Sequence, residues 1–125
     1  MNFYFVAAAV LVVGIGIAHS WLGERYILMR LFRRHNMPHL FGSDDFTKRT
    51  LRFAWHITTV AWLGAAALLL VLASHPVDAT ARMFSRVIAA TFLVSSIVAL
   101  LGSRGRHLSW VVFLLIAVLV WIGNL

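Results

Sequence analysis

The chain has 125 residues, of which 62% are hydrophobic and only 12% are charged, and it contains no cysteine. A soluble domain of this length has too little interior to hide so much apolar surface, so the composition excludes a soluble globular fold. The absence of cysteine excludes disulfides, thiolate metal sites, iron–sulfur clusters and cysteine nucleophiles. The formal net charge is +7, but the basic residues lie at the ends of apolar runs. We therefore expect them to contact membrane lipids, including anionic headgroups, and we expect no binding of nucleic acid.

The first apolar run covers about residues 3–22 and is apolar up to His19. No Lys or Arg precedes it, which favours a spanning helix over a signal peptide. The following segment Tyr26–His35 alternates large apolar residues with arginines. That pattern predicts either a short helix lying at the headgroup level or a simple continuation of the first helix. Pro38 then ends the helical pattern.

The second apolar run is preceded by a helix start at Ser43-Asp44-Asp45. Ser43 is a favourable cap, and the helix dipole stabilises the two aspartates in the first turn. The helix should run from about residue 44 to 73, with its spanning part at about 53–73. At about 100° per residue, one face of the first half of this helix carries a stripe of five polar residues. These residues are Asp45, Arg49, Arg52, His56 and Thr59.

Two further apolar runs follow, at about 80–101 and 107–124. Before the third run, Asp78, Arg82 and Arg86 have the i,i+4 spacing of consecutive ion pairs. The fourth run carries Trp110 and Trp121 near its ends, as expected at the two membrane interfaces. The sequence therefore predicts an all-α membrane protein with a single domain of four transmembrane helices in an up-down antiparallel bundle.

The distribution of basic residues predicts the orientation of this bundle in a bacterial inner membrane. The basic loop 23–52 and the third connection together hold nine Lys and Arg residues, and the second connection holds only two. Because cytoplasmic loops are enriched in Lys and Arg, we expect both termini outside and a cytoplasmic loop 23–52. The nine are Arg25, Arg30, Arg33, Arg34, Lys48, Arg49, Arg52, Arg104 and Arg106, and the two are Arg82 and Arg86.

This orientation places three histidines in the cytoplasmic leaflet, with a carboxylate and an arginine nearby. Ionisable groups in spanning segments are unfavourable and tend to mark functional sites. We predict a cofactor-binding site formed by His19, Glu24, Arg52 and His56. Histidine and carboxylate ligands suit divalent metals, so the predicted metal ligands are His19, Glu24, His56 and His107. Two histidines on facing helices could equally bind haem.

Three alternatives to this ligand-binding site remain open. The Glu24–Arg52 pair can be purely structural. The protonatable residues can belong to a small transporter or channel subunit, most simply as a homo-oligomer. The basic loop and small-residue faces can also serve a membrane assembly or interaction protein without catalysis. An enzyme is disfavoured, because adjacent residues such as His19 and Ser20 point about 100° apart on a helix.

Overall fold

A computed structural model describes all 125 residues and shows a chain built from helices, without strands. Helix α1 leads directly into a six-residue π-helix and then into the short helix α2. Two long helices, α3 and α4, and the shorter α5 follow. The bounds are α1 Phe3–Leu22, the π-helix Gly23–Leu28, α2 Met29–Leu31, α3 Asp45–Ala73, α4 Ala79–Ser103 and α5 Ser109–Ile122.

Three helical runs are long and apolar enough to cross a membrane: Phe3–Leu31, Asp45–Ala73 and Ala79–Ser103. These correspond to the first three predicted spans, and they identify a membrane-type helical protein. The fourth apolar run also forms a helix, but α5 has only 14 residues. At about 1.5 Å per residue it is about 21 Å long, against about 30 Å of hydrocarbon. The four-helix antiparallel bundle stays a prediction.

The segment after the first span is helical as far as Leu31, without a break from α1. This continuity supports a first helix that continues past residue 22, and not a separate short helix at the headgroup level. Phe32 and the residues after it leave the helix before Pro38.

The starts of α3 and α4 are stabilised by aspartate and serine side chains. The Ser43 hydroxyl accepts a hydrogen bond from Asp45 N, as predicted, at 3.3 Å. The Lys48 ammonium donates to the Asp44 carboxylate at 2.7 Å and holds the pKa of Asp44 below its ordinary value. At α4, the Asp78 carboxylate caps the helix by accepting from Ala81 N at 2.7 Å.

The ion pairs predicted from Asp78 to Arg82 and Arg86 do not form. Asp78 is oriented by its capping bond, and the Arg82 guanidinium donates to the carbonyl oxygens of Val77 and Asn124, each at 3.3 Å. Unsatisfied carbonyls at chain ends and turns therefore replace the carboxylate as the acceptor.

The chain divides into two compact units, of which the first comprises Met1–Ile15 and Leu63–Leu125. Its core contains side chains that are almost completely buried: Phe5, Val12, Leu69, Ser85, Ile116 and Val120. The Ser96 hydroxyl donates to Trp110 O at 2.7 Å, and the Asn2 amide donates to Gly123 O at 2.7 Å.

The second unit is Gly16–Trp62, which contains the end of α1, the π-helix, α2, the connection to α3 and the first half of α3. Leu28 is its largest buried apolar side chain, at 2% exposure. The remaining contacts between the two helical segments are mainly polar or aromatic. This unit holds most of the residues that the sequence singled out.

Candidate functional site

The two helical segments of the second unit approach closely because small residues line α1 where it meets α3. Gly23 is buried, and a Cβ atom at this position would overlap the indole ring of Trp55. The Trp55 Nε1–H donates to His19 O at 3.0 Å. Gly16 is packed less tightly, because a Cβ there would lie 3.4 Å from Thr59 Cγ2, an ordinary van der Waals distance. The small residues Gly16, Ser20 and Gly23 thus create the space for α3.

The π-helix begins at the point of closest approach. It starts at Gly23, and the Met29 N–H donates to Glu24 O, five residues earlier. Single π turns inside longer helices occur frequently at functional sites, since they widen the helix and redirect its side chains. Here the widened turn carries Glu24, the only acidic residue of the helical run 3–31.

The imidazole of His56 lies between two side chains of the first helical run. Its Nε2 is 3.2 Å from Glu24 Oε2, and its Nδ1 is 2.9 Å from Ser20 Oγ. Residues 20 and 24 are one turn apart and share a face, so one ring can contact both. The two ring nitrogens of His56 are therefore both engaged.

The hydrogen-bonded chain continues from Ser20 into the buried part of the unit. Ser20 Oγ is 2.8 Å from Thr59 Oγ1, and the Thr59 hydroxyl can donate to Gly16 O at 3.4 Å. Thr59 is only 9% exposed. We call the connected side chains Glu24, His56, Ser20 and Thr59 the relay.

At its outer end the relay is anchored by Arg52. The Arg52 guanidinium donates through Nε to Glu24 Oε2 at 3.3 Å, and its Nη2 is 3.0 Å from Oε1. The Arg52 side chain is 49% exposed and also lies over the Phe32 ring, 5.0 Å from its centroid. The relay thus leads from an accessible ion pair to a buried hydroxyl.

The protonation state of His56 determines which groups of the relay donate hydrogen bonds and which accept them. Because the Glu24 carboxylate can only accept, it selects the neutral His56 tautomer with a proton on Nε2. Nδ1 then accepts from Ser20, and Ser20 accepts from Thr59. When His56 is protonated on both nitrogens, Nδ1 must donate to Ser20. Ser20 then donates to Thr59, and Thr59 donates to Gly16 O.

His19 belongs to the same unit but is held by aromatic residues of α3. Its ring stacks on Trp55 with centroids 4.7 Å apart and an interplanar angle of 2°. Trp62 contacts it edge-on at 4.9 Å, and His19 Nε2 donates to Trp55 O at 3.3 Å. The Nε2 atom, one of the two ring nitrogens that could coordinate a haem iron, is therefore already engaged with a backbone carbonyl.

The structure therefore brings four of the five predicted site residues into one unit, and three of them into direct contact. Arg52 and His56 both bond to the Glu24 carboxylate, and His19 stacks on Trp55 in the same unit. His107 belongs to the first unit, where its Nδ1 is 2.8 Å from Ser109 Oγ. Its predicted approach to the other histidines stays a prediction.

No group of three or more His, Asp or Glu side chains in the structure has the arrangement of a metal site. Metal binding by the four predicted ligands stays a prediction without support from this geometry. The sequence interpretation also missed the roles of Ser20, Trp55 and Thr59. Their signal was present in the i,i+4 spacing of Ser20 and Glu24 and the i,i+3 spacing of His56 and Thr59.

Comparisons of the chain with protein-family models, with curated proteins and with solved structures give no match. We therefore infer function from the chemistry of the relay.

Proposed function

We propose that the protein is an integral membrane protein with a proton-binding site, and that the relay responds to protonation of His56 by reversing its hydrogen bonds. The observation that carries this proposal is the contact of both His56 nitrogens, with a carboxylate at 3.2 Å and a hydroxyl at 2.9 Å. Histidine is the side chain whose ordinary charge change lies near neutral pH.

The charged groups around His56 support a proton-binding role. Glu24 faces one edge of the ring and would stabilise an imidazolium by a charge-assisted hydrogen bond. Arg52 opposes this effect through its own pairing with Glu24, so the carboxylate is shared between two cations. Ser20 and Thr59 face the other edge and can accept the extra proton's hydrogen bond without leaving any donor unsatisfied.

A response to pH fits the relay better than transport across the membrane. Arg52, which anchors the relay, and Thr59, at its buried end, are seven residues apart on α3, about 10 Å along the helix. It ends at the carbonyl of Gly16, and the next residues of α1 toward its start are apolar. We therefore propose that the proton enters and leaves on the Arg52 side.

The test is a pH titration of the protein labelled with ¹³C-serine, ¹³C-threonine and ¹⁵N-histidine in lipid nanodiscs. We expect the signals of Ser20 and Thr59 to change together with those of His56 when the sample is acidified from pH 8. In His56→Gln they should stay constant. Thr58 is the internal control, because its hydroxyl donates to Ala54 O in the same helix and outside the relay. Titration of His56 with unchanged Ser20 and Thr59 would overturn the proposal.

A divalent metal bound by Glu24 and His56 is the second candidate function. Glu24 Oε2 and His56 Nε2 lie 3.2 Å apart, and carboxylate oxygen and imidazole nitrogen are both ligand types of divalent metals. Water or further residues would have to complete the shell. Metal analysis of the purified protein decides between the two functions. One equivalent of bound metal that is lost in His56→Ala supports metal binding. A metal-free protein whose relay responds to pH supports proton binding.

A further inference from the structure

The connection between α2 and α3 contains a tight turn, Leu40–Ser43, in an unfavourable conformation. Leu40 N donates to Ser43 O at 2.9 Å, and Ser43 N donates to Leu40 O at 3.4 Å. Phe41 and Gly42 both have positive φ, at 57° and 89°. Two consecutive left-handed residues are typical of a type I′ turn, in which Asn or Gly is favoured at the first position. A phenylalanine there is strained.

The same phenylalanine is almost fully exposed. Phe41 is 90% exposed, and its ring lies edge-on to that of Phe46, with centroids 5.1 Å apart. Leu40 and Phe46 are also about half exposed. We call Leu40, Phe41 and Phe46 the apolar tip. Neither burial nor a favourable backbone conformation stabilises Phe41 within the chain. We therefore expect the Phe41 side chain to make its favourable contacts with a partner outside the protein.

The charges near the apolar tip favour a lipid surface. Two carboxylates of the unit are in ion pairs, Glu24 with Arg52 and Asp44 with Lys48, and the Asp45 carboxylate accepts from the Ser43 hydroxyl at 3.4 Å. Arg33 and Arg34 are exposed and form no such pair. Aromatic side chains accompanied by unpaired arginines are typical of segments that lie at the headgroup level of anionic membranes.

The length of α3 places the apolar tip at a suitable depth. α3 has 29 residues, so it is about 44 Å long, close to the full thickness of a bilayer with its headgroups, about 40–45 Å. Phe41 precedes the first residue of α3 by four positions. When α3 crosses the membrane, the turn therefore lies beside the headgroups and not far out in water.

We propose that the apolar tip inserts into the headgroup region of the membrane that α3 crosses, and that anionic phospholipids bind the unpaired arginines Arg33 and Arg34 of the same connection. This role is separate from the relay. It gives the connection a second attachment to the bilayer, in addition to the helices that enter it.

The absence of cysteine allows a clean test with single-cysteine variants. Nitroxide labels on Phe41→Cys and on His39→Cys are compared in vesicles of phosphatidylcholine and phosphatidylglycerol. His39 is the matched control, because it is exposed in the same connection but is not part of the tip. We expect the label at 41 to be several-fold more accessible to oxygen than to a water-soluble nickel chelate, relative to the label at 39.

A second variant, Phe46→Cys, keeps Phe41 in place and should show the same preference for oxygen. In vesicles of phosphatidylcholine alone, the preference should decrease at both positions. Equal exposure to the nickel chelate at positions 39, 41 and 46 would overturn the proposal. A label at 41 that is shielded only after a second protein is added would also overturn it, in favour of a protein partner.

Discussion

At the scale of single residues, the two helical segments of the second unit meet because Gly23 has no side chain. The indole of Trp55 occupies the space that a Cβ atom would need, and it donates to His19 O at 3.0 Å. The same indole stacks on His19. One glycine therefore determines the separation at which His56 can contact both Ser20 and Glu24.

We expect Gly23→Ala to destabilise the protein by about 1–3 kcal/mol, because the added methyl group must displace the Trp55 ring in a packed contact. Gly14→Ala is the matched control, since nothing lies within 4 Å of a Cβ at that position of the same helix. Alanine is the better helix former by about 1 kcal/mol, so the control should not lose stability. Thermal unfolding in detergent measures both variants. Equal stability of the two would contradict the close packing at Gly23.

The sequence could predict much of this site, but not its internal connections. The polar stripe of α3 and the pairing of Glu24 with Arg52 follow from periodicity and from the unfavourable free energy of an unpaired charge. The contact of Ser20 with His56 depends on the axial offset between two helices, which no pattern within one helix specifies. The stacking of His19 on Trp55 depends on the same axial offset.

At the scale of helices, the most informative difference from the sequence interpretation lies at the start of α4. The spacing of Asp78, Arg82 and Arg86 indicated ion pairs, but Asp78 caps the helix instead. A free N–H at a helix start is a near and well-aligned donor for a short carboxylate side chain. The capping bond therefore forms in preference to a contact with a flexible guanidinium four residues away.

Two substitutions of Asp78 separate the capping bond from an ion pair. Asp78→Asn keeps a capping oxygen without the charge, so we expect a change in the free energy of unfolding below about 0.5 kcal/mol. Asp78→Ala removes the cap and should destabilise the protein by about 1 kcal/mol. Thermal unfolding of both variants checks this difference. If asparagine were as harmful as alanine, the charge of Asp78 would be its main contribution.

The helical run that continues α1 to Leu31 should remain in contact with the membrane. Its arginines alternate with large apolar residues, and Arg30 lies 5.6 Å from the centroid of the Tyr26 ring, covering apolar surface with its charged side chain. Spin labels at Leu31 and Arg34 should therefore differ, with Leu31 more accessible to a lipid-soluble relaxant. Equal accessibility to water at the two positions would indicate a helix that has left the membrane surface.

At the scale of the whole molecule, we propose an inner-membrane protein with loop 23–52 in the cytoplasm and both termini outside. The nine cations in and near the first and third connections, against two at the second, support this orientation. Reporter fusions at Leu125 and within 102–106 should give opposite signals, external for the first and cytoplasmic for the second. A cytoplasmic signal from Leu125 would reverse the topology, or would show that the 14-residue α5 does not cross the membrane.

The central claim is that Glu24 fixes His56 in the tautomer that accepts a hydrogen bond from Ser20. The most direct measurement is the ¹⁵N spectrum of histidine-labelled protein in nanodiscs at pH 8, assigned with His56→Gln. We predict a protonated Nε2 and an unprotonated Nδ1 for His56, and we predict that Glu24→Ala abolishes this preference while His75 is unchanged. A His56 signal with the proton on Nδ1 at pH 8 would contradict the relay, because Ser20 could then no longer donate to the ring.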